Sequence, residues 1–439
     1  MNPVSFIETK RDGLENSPGD IREFVRLALS GGMKDYQISS WLMAVFFRGM
    51  TPSENRTFTE ALAGSGKTVR FPDGLFAVDK HSTGGVGDKT TLVVVPLVAA
   101  CGVPVAKLSG RGLGFTGGTV DKLDSIPGFR SSLDMKSFID QVEKTGCAVS
   151  GHSKDLAPAE GVFYKLRDVT GTVPCIPLIT SSIVSKKVAG GSNAFVFDVK
   201  CGNGAFMKDL DSANQLARQL VDLSMALGRP AIAMITDMSR PLGRWTGNAA
   251  EVMEAIDVLR GEGPEDTLEI SLRLAGAMIH LGGKAPSIEE GVKIAENSIF
   301  SGKGLEKFLE MVKVQGGDPG DFLDAGKRRN HLAPSVFEVE ALEAGWVTEC
   351  DALLIGEAVR SIGGGRLTRE QEIDPSVSCE IVTVRGEKVS KGQPLARLYY
   401  RNDGPEIENA VEMVRRAFRT GERPGTEKLF LGFEGPGTS

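Results

Sequence analysis

Two glycine-rich, hydroxyl-rich loops lie within residues 80–121, with a strand-like run between them. The first reads Lys80-His81-Ser82-Thr83-Gly84-Gly85-Val86-Gly87-Asp88-Lys89-Thr90-Thr91. The second reads Lys107-Leu108-Ser109-Gly110-Arg111-Gly112-Leu113-Gly114-Phe115-Thr116-Gly117-Gly118-Thr119-Val120-Asp121. Glycine lets backbone N–H groups approach an oxyanion closely, while Ser, Thr and Lys add donors and positive charge. Two such loops facing one pocket hold a phosphate as a reactant rather than as the tail of a nucleotide. Two commoner phosphate motifs fall away. Gly64-Ser65-Gly66-Lys67-Thr68 looks like the end of a P-loop, but the earlier glycine would fall at Ala61. Gly112-Leu113-Gly114-Phe115-Thr116-Gly117 matches G-x-G-x-x-G after the strand-like Val103-Pro104-Val105-Ala106-Lys107. That match stands alone, and no long helix opens on its third glycine.

Composition narrows the class. A chain of 439 residues suits two or three domains with a sizeable core. Its net charge of −6 gives no broad attraction to nucleic acid or anionic lipid, so an anion site must be a local device. The N-terminal Met1-Asn2-Pro3-Val4-Ser5 lacks a signal-peptide layout, and no apolar run reaches the length of a membrane span. Six cysteines are scattered without a C-x-x-C pair, which favours reduced thiols over disulfides or zinc. A cytoplasmic protein without nucleic-acid or membrane partners is expected.

The chain divides into three textures. Residues up to about 65 read as helices. Residues 21–29 carry a helical apolar pattern with Asp20 as N-cap and Gly31-Gly32 as a stop; 38–47 form a second helix, and Thr51-Pro52-Ser53-Glu54 opens a third. From about 70 to 335, strand-like runs (92–95, 103–105, 194–199, 230–235) alternate with helical ones (210–227, 249–259), which predicts an α/β sheet. After about 340, short strands and turns predict a small α+β domain. Its segment 386–395 looks like a biotinyl or lipoyl hairpin, but no Met-Lys pair occurs after position 208, so a buttressing domain is expected. A second polar constellation comprises Tyr164, Arg167, Ser182 and Lys186. Ser182 and Lys186 are four residues apart and share one face of a helix. Arg167 offers a planar fork of donors. These groups suit a ring bearing carbonyl oxygens and an N–H, such as a pyrimidine; a solvated basic helix face would give the same pattern.

Ser109-Gly110-Arg111-Gly112-Leu113-Gly114, Thr116-Gly117-Gly118-Thr119 and Asp121-Lys122-Leu123-Asp124-Ser125 resemble the signature of the thymidine and pyrimidine-nucleoside phosphorylases. The first loop is similar to that family's phosphate loop, and Arg167, Ser182 and Lys186 match its pyrimidine-binding residues in type and spacing. The resemblance covers nearly the whole chain, from Lys10-Arg11-Asp12-Gly13 through Asp237-Met238-Ser239-Arg240-Pro241-Leu242-Gly243 into the C-terminal region. It implies a helical domain (1–66 with 160–192), a larger α/β domain with a central sheet (67–159 and 193–335) and a small C-terminal α+β domain (340–439). It also implies a homodimer through the helical domain, a cleft that closes on two substrates, and reversible phosphorolysis of a pyrimidine nucleoside to free base and pentose 1-phosphate. Inorganic phosphate is then a co-substrate, and no cofactor is required.

The resemblance places Lys80, Ser82, Thr91, Lys107, Ser109 and Thr119 on phosphate, and Tyr164, Arg167, Ser182 and Lys186 on the base. The base leaves as an anion, so Arg167 and Lys186 stabilise the transition state more than the ground state. His81 is the candidate for donating a proton or hydrogen bond to a base carbonyl; His152, His280 and His331 are read as structural. Three residues bear on detail. Phe115 stands where the family usually has a His that helps to close the second loop. Lys89 stands where some members have a Thr beside a potassium ion. The site formed by Gly87, Leu242 and Glu254 is then either a potassium site or one where the Lys89 amine replaces the ion; the alternative for Lys89 is a simple surface salt bridge. Lys107 resembles the broad pyrimidine-nucleoside enzymes rather than the thymidine-restricted ones. The competing readings are a thymidine-restricted enzyme, a related phosphoribosyltransferase and a catalytically silent homologue.

Overall fold

The structure is a computed structural model describing residues 1–112, 114–368 and 371–435. Leu113 of the second loop lies outside them, as do residues 436–439 of the expected C-terminal domain. The chain opens with α1 (Pro3–Arg11), α2 (Pro18–Ser30), α3 (Asp35–Arg48) and α4 (Pro52–Ala63). Helix α2 is capped by Ser17, whose hydroxyl accepts from the Asp20 N–H, not by Asp20 as expected. Pro18 at the first helical position explains the earlier start, because its missing N–H needs no partner there. Gly31 ends α2 at φ 76°, and Thr51 with Glu54 forms a capping box on α4. The apolar faces meet around Phe24, Trp41 and Phe58, all fully buried. The Trp41 indole N–H is satisfied by Asn16 Oδ1 at 3.0 Å.

The chain then enters the sheet through β1 (Val78–Ser82), α5 (Thr90–Ala100), β2 (Val105–Ser109), α6 (Thr119–Leu123), α7 (Met135–Thr145) and β3 (Cys147–Gly151). The run 92–95, expected to be a strand, lies within α5. A short β-branched run reads alike as a buried strand or a helix apolar on every side. Here the helix is enclosed all round, so no polar face was needed to mark it. Helices α8 (Pro158–Val169) and α9 (Ile176–Ala189) return to the bundle, where the Phe163 ring sits 5.4 Å from Phe24 and 5.1 Å from Phe58.

After α9 come β4 (Ala194–Cys201), α10 (Leu210–Ala226), β5 (Ala231–Asp237) and β6 (Trp245–Thr246). Next, α11 (Asn248–Arg260), α12 (Glu265–Leu281), α13 (Ile288–Phe300), α14 (Lys303–Val314) and the short α15 (Gly320–Leu323) form a helical layer rather than a continued alternation. The remainder is β7 (Ser335–Glu340), β8 (Gly345–Cys350), α16 (Ala352–Val359), β9 (Ser378–Ile381), β10 (Lys388–Val389), β11 (Pro394–Tyr400), α17 (Pro405–Ala417), β12 (Phe418–Gly421) and β13 (Phe430–Glu434).

The central sheet has the order β13-β5-β4-β1-β2-β3. Strands β1 to β5 run parallel, and β13 adds antiparallel to β5 through Phe430↔Thr236. The end of the chain therefore belongs to the central sheet, while β6 pairs with β9 of a C-terminal sheet. These exchanged strands tie the last part of the chain to the α/β domain. All six cysteines are free thiols. Among the described residues no helix is long and apolar enough to cross a membrane. Trp41→Ala should destabilise the protein by about 3–5 kcal/mol, because it removes a fully enclosed aromatic ring and orphans Asn16; equilibrium urea unfolding measures this.

Candidate active site

Ligands in parallel α/β sheets bind outside the carboxyl ends of the strands. The first loop leaves the end of β1 and returns at the start of α5, and its anchor is Asp88. The Asp88 carboxylate accepts from the Ser82 hydroxyl and, at 2.6 Å, from Thr90 Oγ1. Thr90 Oγ1 in turn accepts from Lys80 Nζ at 2.6 Å. Lys122 Nζ donates to the Asp88 carbonyl at 2.6 Å and pairs with Glu251 at 2.7 Å, linking the loop to α6 and α11. Burial alone would raise the Asp88 carboxyl, but Lys80, Lys200 and Lys122 hold it well below the usual carboxylate range. Lys80 is fully buried, 3.6 Å from Asp198, and burial lowers its pKa. Asp198 also accepts from Thr236 at 2.6 Å and pairs with Lys200 at 2.8 Å. Thr91 is buried in the first turn of α5.

Lys89 follows Asp88 and turns away from the loop mouth. Its fully buried ammonium donates to the carbonyls of Leu242 and Trp245, each at 2.8 Å, and to the Glu254 carboxylate. Gly87 stands at φ 69°, where a Cβ would lie 2.6 Å from the Leu242 carbonyl, so glycine alone fits that corner. The ammonium thus holds Leu242 and Glu254, two of the groups expected around a potassium ion.

The second loop leaves β2 at Ser109 and ends on Thr119, the first residue of α6. Asp121 holds it in shape: its carboxylate accepts from the Gly112 N–H at 2.7 Å and from Arg111 at 2.9 Å. A residue that sequence reasoning passed over completes this clasp. Arg366, from beyond α16, makes a bidentate pair with Asp121 at 2.8 and 3.0 Å. The Phe115 ring lies 6.0 Å from that of Phe206, with Lys208 Nζ 5.3 Å from its centroid. Lys107, expected on phosphate, is instead buried, with its ammonium 2.7 Å from the Lys80 carbonyl and 3.9 Å from Asp79. Burial and the neighbouring Lys187 push it well below the ordinary lysine range.

The other wall comes from α8 and α9. Ser182 and Lys186 do share one face of α9, and both meet Glu160 of α8, another residue the sequence reading missed. Tyr164 lies beneath Lys186, whose ammonium is 5.3 Å from the ring centroid. Arg167 does not extend its fork into the cleft. It donates to the carbonyls of Val173 (2.7 Å), Leu178 (3.1 Å) and Thr172 (3.4 Å), so it clamps the α8–α9 turn. Lys187 pins α9 to the sheet through Asp79 at 2.6 Å and the Leu108 carbonyl at 2.9 Å. His152 follows β3 and feels the charges of Lys186, Lys187 and Lys107. His81 feels Lys187, Lys107, Lys80 and His152. Both imidazoles thus feel the lysines of the sheet and of α9, and the sequence reading singled out one of them.

Comparison with known proteins finds relatives over most of the chain. Residues 4–66 match the helical bundle domain of a glycosyl transferase family, and residues 75–305 match its a/b domain. Residues 346–421 match the pyrimidine nucleoside phosphorylase C-terminal domain. The chain is 48% identical to the pyrimidine-nucleoside phosphorylase of Geobacillus stearothermophilus over 97% of both chains. It is 46% identical to that of Bacillus subtilis (strain 168) over 95% of both chains. This chain belongs to the pyrimidine-nucleoside phosphorylase family. The fold extends further: anthranilate phosphoribosyltransferase from Thermus thermophilus superposes with a TM-score of 0.58 at 18% identity, over 70% of this chain and 98% of that one.

The two cleft imidazoles of this phosphorylase have a measurable consequence. Burial, reinforced by the surrounding ammonium groups, pushes both well below the ordinary value of 6.5. The unfolded chain then takes up protons before the native one does. Their contribution to stability is intact above 6.5 and is lost as pH falls toward the depressed native values. The thermal midpoint should therefore drop on acidification below that point, and His152→Gln should flatten the drop; scanning calorimetry across this range tests it.

Proposed function

We propose that this chain catalyses reversible phosphorolysis of pyrimidine nucleosides, namely uridine, thymidine and deoxyuridine, to free base and (deoxy)ribose 1-phosphate. The observations that carry the reading are the loop around Lys80 at the end of β1 and the Ser182–Lys186 face of α9, the helix that Lys187 ties to the sheet through Asp79 and the Leu108 carbonyl. Phosphate sits against Lys80, Ser82, Thr91, Ser109 and Thr119, with the backbone N–H groups of both loops as further donors. Its oxygen attacks C1′, the C1′–N1 bond breaks, and the electron pair leaves with the base. Lys186 meets the charge that develops on a base carbonyl, and such stabilisation is stronger in the transition state than in the ground state. Arg167 joins it once the clamp on the α8–α9 turn opens a donor toward the base. His81, held neutral, acts through a hydrogen bond to the base rather than as an imidazolium. Lys107 acts through Lys80, whose carbonyl it holds.

The same proposal includes the division into 1–66 with 160–192, 67–159 with 193–335, and 340–439, supported by the separate aromatic core around Trp41. It includes a homodimer through the helical domain, supported by the exposed Tyr36, Met43 and Phe47 of α3. The Lys89 ammonium takes the role of a potassium ion in joining the first loop to Leu242 and Glu254.

The deciding assay follows free base released from uridine, thymidine, deoxyuridine, cytidine and adenosine, with and without phosphate. Phosphate-dependent release from uridine and thymidine alike is expected; release from deoxynucleosides alone would make the enzyme thymidine-restricted. No release from any of them would overturn the reading. Lys80→Met should lower kcat/KM by about 10²–10³-fold in the same assay. Potassium should be dispensable: activity in sodium buffer should equal that in potassium buffer, and a strict potassium requirement would sink the role given to Lys89.

A further inference from the structure

Glu160 is buried in α8, and the chemistry above gives it no task. One carboxylate oxygen accepts the Ser182 hydroxyl, and the other lies 2.7 Å from Lys186 Nζ. A carboxylate has no hydrogen to give, so the Ser182 hydrogen is fixed toward Glu160. The Ser182 oxygen then offers only lone pairs to the cleft. Lys186 is the opposite, a group that can only donate. Side by side on α9, the two present one acceptor and one donor.

A ring that fits must bring an N–H to Ser182 and a carbonyl oxygen to Lys186. Uracil and thymine carry this pattern at N3–H and the adjoining carbonyl. Cytosine brings a lone pair at N3 and an amino group beside it. Its N3 lone pair would face the Ser182 lone pairs, whichever neighbour of N3 meets Lys186. A polar group left unpaired in this way costs far more than a missing methyl group in an apolar pocket.

We infer that Glu160 is the positioning residue that sets base specificity: by holding the Ser182 hydroxyl as an acceptor, it selects rings with an N–H beside a carbonyl. This rests on the reading of the α8–α9 face as the base site. Glutamine at this position keeps the shape but can donate as well as accept, which frees the Ser182 hydrogen to turn toward the cleft.

The test uses the full-length enzyme and N1-methylated bases as inhibitors, which like the nucleosides carry no N1–H and which separate recognition from leaving-group chemistry. Inhibition constants for the N1-methylated forms of uracil, 3-methyluracil and cytosine (named below by the parent base) are measured for the unmodified protein, Glu160→Gln and Glu160→Asp. The unmodified enzyme should prefer uracil over both others. Glu160→Gln should shrink the uracil-to-cytosine preference by about 10- to 100-fold, the worth of one hydrogen bond to a charged group. The KM for phosphate should stay unchanged, and Glu160→Asp should recover part of the preference. If Glu160→Gln weakens all three bases equally, or if Glu160→Asp is as unselective as Glu160→Gln, the inference is wrong. Should Glu160→Gln fail to fold, Ser182→Ala removes the same acceptor, and an unaltered preference in that variant also overturns it. An unmodified enzyme that is active on nucleosides but shows no preference for uracil overturns the role of Glu160 alone. One with neither activity nor uracil binding overturns the base-site reading and the inference together.

Discussion

The first loop depends on one half-buried carboxylate among ammonium groups. Asp88 ties Ser82 and Thr90 together, and through Thr90 it sets the position of Lys80. Its own carbonyl receives Lys122, which is anchored to Glu251. Enclosing lysines away from water is unfavourable unless each finds oxygen partners. Asp198 meets Lys80 and Lys200, while Glu251 and the Asp88 carbonyl meet Lys122.

The second loop is held differently. It has little core of its own, and glycine fills it because its backbone folds back closely on itself. Its order comes from Asp121, and half of the ion pairing at Asp121 comes from Arg366, far along the chain. The exchanged strands β6 and β13 make the last part of the chain inseparable from the sheet that carries the site. A domain expected only to buttress the cleft in fact delivers a side chain to one of its loops.

Much of the site was legible in the sequence because its signals are local. Glycine spacing, the Ser182–Lys186 interval on a helix and the Thr51–Glu54 cap each depend on a few neighbouring residues. The alternation of β4, α10 and β5 was equally readable. What escaped was long-range. Glu160 lies 22 residues before the serine it holds, and Arg366 lies 245 residues after the aspartate it clasps; no spacing rule joins such pairs. The run 92–95 was misread because an apolar β-branched segment carries no period once every side of it is buried.

The sequence alone determined the chemistry on offer: loops able to cradle an oxyanion, a helix face with a hydroxyl and an ammonium one turn apart, and a family signature spanning the chain. Those follow from residue type and short-range geometry. Only the tertiary structure decided which groups face the cleft and in what state. It turned Lys107 inward onto a carbonyl, set Arg167 on the α8–α9 turn, placed the Lys89 ammonium among three oxygens and aimed the Ser182 hydrogen at Glu160. The physical reason is that a donor or a charge taken from water goes to whichever partner the fold brings within reach, and that partner is seldom near in the chain.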